Sequence, residues 1–518
     1  MKIRSRYLIN GHPVLGTYGG TSLDELRLVK EVGMNLVFGG GELLDTTSER
    51  GKFCYEDGIK VMYGLAGHVY GRPPLAASIG PDETTILLLG EGALPGPAVT
   101  EIDGEQIHYE RVEGATLVRC TRGYGGTRPV PHRAATFLFW PAPAEAEVAR
   151  VKDSPNLFGY YVIDDSPGNA LSALHGLYRV VKRHDTVHPV CGGYSGATTL
   201  HNFDADAADV IMVYYYPFLK TGYERTMNSW DTQWMLTAAR KKKPGVPFFG
   251  IYQGFWGGYW NQQEPLTPAQ IREQIEDFVR EGASGILTFY IGADTSQKFY
   301  GWQVEEPLKR EIQAINTEIR ETGAMKIKPE PDSMKRARIQ PEGFWERPRP
   351  VPGIVPAWYV VAPFDDPDRK LLGAVFPPES GIDLAASYPG KGRTIVWERQ
   401  ESQAGAIGLI ELYGWMENCT AYATCTVTSP VDQDVQMRVS SDDDMVVWFD
   451  GQQVYRFEGA RGVHLDTDIV PAHLKMGDTR ILVKVYNRGG QWGFNFRFTD
   501  RDGRPLEGLT FSPTPDEA

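Results

Sequence analysis

Apolar runs alternate with amphipathic stretches over roughly the first 320 residues. Runs at 7–18, 34–38, 59–65, 157–163, 188–192, 210–216, 247–252 and 284–290 predict eight strands. They are continuously apolar, as strands buried on both faces are, and do not alternate as half-exposed strands do. Between them, helical periodicity predicts helices after Ser22, over 144–151, 170–184 and 230–243, from Pro268 to Glu281, and over 307–321. Thr267 before Pro268 is a strong helix opening, a cap residue followed by proline at the first position. Eight strands, nearly all followed by a helix, in about 250 residues is the repeat of a (β/α)₈ barrel. A doubly wound sheet is the rival, but Gly16-Thr17-Tyr18-Gly19-Gly20 lacks its glycine spacing.

Two regions depart from this rhythm. Residues 76–143 carry short alternating segments at 84–89, 105–111 and 116–120 with Gly and Pro between them, predicting a small β-domain inserted in the third βα connection. Residues 323–356 hold seven prolines and many charges without apolar period, an extended linker. Beyond it, alternation at 420–428, 435–439, 445–449 and 481–485, with Asp450-Gly451 as a turn, predicts a β-sandwich over 357–514. The expected fold is therefore α/β: a (β/α)₈ TIM barrel from 1–75 and 144–322, with an inserted β-domain and a C-terminal β-sandwich.

Composition narrows the function classes. With 42% hydrophobic and 23% charged residues the chain is an ordinary globular protein. Its 57 glycines and 36 prolines exceed the usual shares and exclude a helical array. A net charge of -13 argues against nucleic acid as a partner. The basic run Arg240-Lys241-Lys242-Lys243 suits the last turn of a helix. Ten histidines show no metal-ligand spacing, so no metal or other cofactor is expected. Five cysteines without a Cys-x-x-Cys are too few to staple the chain, and free thiols are the expectation, Cys419 and Cys425 included. No apolar run reaches 18 residues and Met1–Tyr7 has no secretory h-region, so a soluble protein without membrane insertion is expected. The compartment stays open, cytoplasmic as written or secreted if a leader was trimmed, and so does homo-oligomer formation.

Active sites of such barrels lie at the C-terminal ends of the strands. That rule selects Thr17 and Tyr18 after the first strand, Glu42 after the second, His68 after the third, Asp164 and Asp165 after the fourth, and Tyr194 after the fifth. It adds Tyr215 and Tyr216 after the sixth, Gln253 with Trp256 and Trp260 after the seventh, and Tyr290, Asp294 and Trp302 after the eighth. Aromatic faces stack on sugar rings while amides and hydroxyls meet ring hydroxyls, so this rim fits a carbohydrate. Asp164-Asp165 is the sharpest feature, two acids ending a buried strand. Neighbours on a strand point opposite ways, so one acid faces the mouth and the other anchors a loop or cap. Burial would keep the inward acid protonated near neutrality, as glycosidic acid catalysis requires.

On these residues the N-terminal part resembles (β/α)₈ glycoside hydrolases fused to β-sandwiches. The resemblance implies an acid/base after strand four, matched by Asp164 or Asp165. It also implies a glutamate after strand seven, where Tyr252-Gln253-Gly254 offers an amide instead. The second carboxyl is left to Glu42, Asp294 or Glu264, or to a nucleophile on the substrate. The passage from Ser441-Asp442-Asp443-Asp444 to Asp450-Gly451, with 482–485 and Trp492-Gly493-Phe494, resembles galactose-binding-like and PA14-like sandwiches. Its acidic run is read either as a calcium site or as a solvated turn. The stretch from Ile102-Asp103-Gly104-Glu105 to Thr121-Arg122-Gly123 and His132 resembles small β modules of phage structural proteins, with Arg122 binding an anion or holding a tight turn. The function expected is glycoside hydrolysis. The alternatives are a lyase or esterase, for which no motif speaks, and a non-catalytic carbohydrate-binding or structural protein of a phage-like or cell-surface assembly.

Overall fold

A computed structural model describes residues 1–3, 5–90, 94–164, 166, 168–195, 203–205, 207–214, 216, 236, 239–257, 265–289, 291–294, 299–329, 353–402, 406–414, 416–463 and 466–512, with Ser195, Ala293, Asp294 and Glu411 described by backbone alone. Eight parallel strands close into a barrel: β1 (His12–Thr17), β2 (Leu36–Gly39), β3 (Lys60–Gly64), β4 (Leu157–Asp164), β5 (Val190–Ser195), β6 (Val210–Tyr214), β7 (Phe248–Gln253) and β8 (Gly285–Phe289). Closure comes from β1, which pairs with β8 through Gly285 opposite Val14 and with β2 through Gly16 opposite Leu36.

Two concentric apolar layers follow. The barrel interior is packed with Ile9, Val14, Leu36, Phe38, Met62, Phe158, Tyr161, Cys191, Met212, Phe249, Ile251 and Leu287, so it is a core and not a channel. The outward strand residues meet the helices α1 (Leu23–Glu31), α2 (Glu49–Asp57), α3 (Pro141–Val151), α4 (Leu171–His184), α5 (Pro268–Arg280) and α6 (Glu306–Thr322). Sequence signals place the helix starts. Ser22 and Glu25 form a capping box on α1, and Thr267 and Gln270 form another on α5 with Pro268 just inside. Lys242 and Lys243 donate to the carbonyls of Phe203, Ala205 and Ala208.

Between β3 and α3 the chain builds strands Thr85–Leu87, Ala98–Ile102, Glu105–Tyr109, Arg111–Glu113 and Thr116–Val118 around its own core of Leu75, Ile86, Leu88, Ile107, Tyr109, Leu117 and Trp140. The strand Ala98–Ile102 is the one its Gly- and Pro-rich surroundings concealed. Glu105 organises this unit. Its fully buried carboxylate takes Arg122 Nε and Nη2, each at 2.8 Å, the Gly123 and Val130 amides, and His132 Nε2 at 2.8 Å. Arg122 therefore holds a turn and is not free for an anion.

The C-terminal unit is a sandwich. One antiparallel sheet is built on Ala357–Asp365, Cys419–Ser429, Gly477–Asn487 and Asp444–Phe449, the other on Gln433–Asp442, Gly493–Thr499 and Asp468–Leu474. Trp358, Met437, Val439, Val447, Val483, Phe494 and Phe496 fill the space between them. The acidic run is neither solvated nor spare: Asp444 pairs with Arg488 at 2.8 Å, and Asp443 accepts from the Arg461 and Arg488 amides. All five cysteines are buried and free. Leu89 of the inserted unit packs against the sandwich core, tying the two appendages together.

Candidate active site at the barrel mouth

Asp164 is the last residue of β4 and faces the barrel axis. Strict alternation would not bring Tyr161 to the same side. The register of β4 against β5 shifts between Tyr161 and Ile163, so Val162 and Ile163 both pack outward, and Tyr161 and Asp164 both turn inward. Such irregularities are frequent beside active sites, where they re-aim a side chain. Gly193 on β5 makes the room: a Cβ there would collide with the Tyr161 hydroxyl and lie 3.4 Å from Asp164 Oδ1.

Two further tyrosines fix the carboxylate. The Tyr18 hydroxyl donates to Asp164 Oδ2 at 3.0 Å and the Tyr214 hydroxyl to Oδ1 at 3.4 Å. The Tyr161 hydroxyl sits beside the same carboxylate without hydrogen-bond geometry to it. Burial pushes the Asp164 carboxyl above the ordinary aspartate range, and the three tyrosine hydroxyls partly offset that rise. Asp164 is the one exposed residue of β4, at its C-terminal end.

Aromatic rings form the wall. Tyr18 stacks on Phe38 at 4.2 Å, and Tyr161 meets both edge-on at 5.8 and 5.0 Å. Tyr214 stacks on Tyr216 at 5.6 Å, and Tyr216 leads on to Phe255 at 5.0 Å and Phe289 at 5.5 Å. Phe289 closes the circuit back to Tyr18 at 5.4 Å. The result is a ring of Tyr and Phe contributed by β2, β4, β6 and β8 and the loops after β1, β6 and β7, a cup whose tyrosines Tyr18, Tyr161 and Tyr214 surround one carboxylate.

The other residues selected from sequence fall in several places. Tyr216 joins the cup. Glu42 does not: its exposed carboxylate is committed to Arg50, whose Nε donates to it at 3.0 Å. Gln253 is fully buried, and its amide donates to the Phe255 carbonyl at 3.1 Å, holding the chain after β7. Trp302 is fully buried under α6, and Trp256, 4% exposed, stacks on Tyr300. Both pack long loops and present no face to the mouth. Tyr194 is fully buried against Phe203. His68 is half-buried, its pKa lowered by burial and raised in part by Glu147. Asp165, Tyr215, Trp260, Glu264 and Tyr290 lie outside the described residues, as does the side chain of Asp294. Tyr161 and Tyr214 were not selected, because neither the register shift nor the phase of a three-tyrosine run is written in periodicity. Among the described residues no group of three or more His, Cys, Asp and Glu converges as a metal site. No helix among them is long and apolar enough to cross a membrane.

No family model matches the sequence, and no curated protein does. Solved structures similar to the chain include a cold-adapted β-galactosidase from Rahnella sp. R3, at 11% identity over 62% of this chain and 58% of that one, with a TM-score of 0.35. A β-galactosidase from Marinomonas ef1 scores 0.38 at 11% identity, over 66% of this chain and 62% of that one. The PA14 domain of the antifreeze protein MpAFP covers 18% of this chain and 52% of its own, at 15% identity and a TM-score of 0.16. The chain thus spans less than two thirds of each, and what the mouth does rests on its own geometry.

Proposed function

We propose that this protein hydrolyses a glycosidic bond at the barrel mouth, with Asp164 as the acid that protonates the leaving oxygen. One observation carries the reading: a carboxyl of raised pKa, fixed by two tyrosine hydroxyls, within an aromatic cup on the C-terminal ends of the strands. Tyr18, Tyr214 and Phe289, the partly exposed rings of the cup, offer faces to a sugar ring, and the tyrosine hydroxyls offer partners to its oxygens. A carboxyl whose pKa is raised is the better placed to deliver its proton as the bond breaks. The hydroxyls then stabilise the carboxylate it leaves behind.

Hydrolysis needs a second group, and Asp294 is the acid we assign to it. Its backbone pairs with Phe299, which packs against Phe255 of the cup, so the loop after β8 borders the mouth. The commitment of Glu42 to Arg50 favours a second reading, a mouth that binds sugar without cleaving it. A panel of aryl glycosides and natural oligosaccharides separates them. Turnover lost in both Asp164→Asn and Asp294→Asn supports hydrolysis. Saturable binding with no turnover in the native protein supports the second reading.

A further inference from the structure

A cleft of about 1080 Å³ lies where the exit of β4, the inserted β-domain and the sandwich meet. Gly168, Asn169 and Ser172, which follow Asp164 in the chain by only a few residues, are part of its lining. Asn169 donates to the Ala135 carbonyl at 2.7 Å. Arg133 enters from the inserted domain and Arg393 from the sandwich.

Buried guanidinium groups elsewhere in the protein meet carboxylates, as Arg122 meets Glu105 and Arg438 and Arg497 meet Asp466. Arg133 and Arg393 make no ion pair with any described residue. Arg393 is half-buried and rests over the Tyr413 ring at 5.4 Å, a cation–π contact that holds the group in place without neutralising it. Burial depresses its pKa, and Tyr413 and Glu398 only partly offset this. The acids nearby do not complete the site. Asp103 accepts from His132 at 3.0 Å, and Glu398 stands beyond ion-pair distance of Arg393. The hydroxyl of Ser172 and the amide of Gln400 also line the cleft and show no hydrogen bond of their own to a described residue. A chain of net charge -13 has here two cations lining one polar cleft without an ion pair among the described residues.

We propose that this cleft is a binding site for a uronate-containing oligosaccharide, whose carboxylates Arg133 and Arg393 receive. The choice of a saccharide rests on the reading of the mouth. The choice of an acidic one rests on the arginines. Planar guanidinium groups match carboxylates in a bidentate fashion, and such charge-assisted bonds are the strong ones. Ser172 and Gln400 then serve the hydroxyls between the charges.

The test is calorimetric titration of the full chain with a short oligogalacturonate, a neutral galacto-oligosaccharide of equal length and a sulfated one. The uronate is expected to bind at least tenfold tighter than the neutral oligomer. Arg133→Ala and Arg393→Ala should each weaken it tenfold or more, as loss of a charge-assisted bond does. Arg133 is exposed, so its variant folds whatever Arg393→Ala does. Equal affinity for neutral and acidic oligomers, a preference for the sulfated one, or full affinity in Arg133→Ala would overturn the proposal. Asp164→Asn separates the two readings. Binding retained by this variant while no glycoside is turned over by the native protein leaves the cleft standing and removes the hydrolase. Turnover without uronate binding does the reverse.

Discussion

Replacing Glu105 by Gln tests how the inserted domain is held. Burial alone would push this carboxyl up. The Arg122 fork, His132 and the Val130 and Gly123 amides outweigh it and hold it down at about 2, against an ordinary 4.5. A depression of that size corresponds to about 3 kcal/mol. Glutamine keeps the shape but presents an amide to donors on every side and leaves Arg122, 5% exposed, without its counter-charge. Breaking such a buried pair costs about 3–5 kcal/mol. The domain has its own core, so the loss should appear as local opening. Native-state hydrogen exchange of the amides in Ala98–Ile102 and Glu105–Tyr109 reads it directly, and protection there should fall about a hundredfold or more while that of β6 and β7 holds. A change below tenfold, or an equal change in the barrel strands, would refute the reasoning. The pH dependence has a fixed sign. Because the folded carboxyl is depressed, its contribution is full above about 4.5 and is lost as pH falls toward about 2. His132 is shifted the other way. Burial lowers its pKa, but Asp103 and Glu105 raise it on balance, so its contribution is full below 6.5 and is lost as pH rises through the raised value.

Further outcomes follow from the same structure. Tyr18→Phe removes a hydroxyl that favours the Asp164 carboxylate, so the alkaline limb of the pH–rate profile should move to higher pH. Asp164→Asn should raise the unfolding midpoint, by an amount that grows as pH rises from 3.8 to the raised folded value and is level above it, since burial makes the charged form costly; a midpoint difference unchanged across pH would contradict this. Gly193→Ala should depress activity with little loss of stability outside the mouth, because its methyl displaces the Tyr161 hydroxyl beside Asp164. Asp466→Asn removes the carboxylate that buried Arg438 and Arg497 share and should destabilise the sandwich by about 3–5 kcal/mol in urea unfolding.

Much of the architecture is legible in the chain because buried parallel strands write themselves as unbroken apolar runs. The mouth is legible only where a residue ends such a run, as Asp164 does. What escaped depends on phase or on distant partners. Two residues of β4 that periodicity sets on opposite faces share one, because a single register shift intervenes. Gln253 and Trp302 stand at strand exits yet are drawn inward by loops whose packing has no local signature. Asp444 reads as part of a solvated acidic turn until Arg488, 44 residues on, arrives beside it. Arg393 and Arg133 sit far apart in sequence, and only the docking of three units makes them face one cleft.

The central claim is that Asp164 is a proton donor to a glycosidic oxygen, and leaving-group dependence measures it most directly. Aryl glycosides of graded phenol acidity should be compared in the native protein and in Asp164→Asn. Loss of a general acid should slow poor leaving groups by roughly a hundredfold to ten-thousandfold and nitrophenyl leaving groups far less, steepening the dependence. Equal rates for native protein and variant across the series would contradict the account.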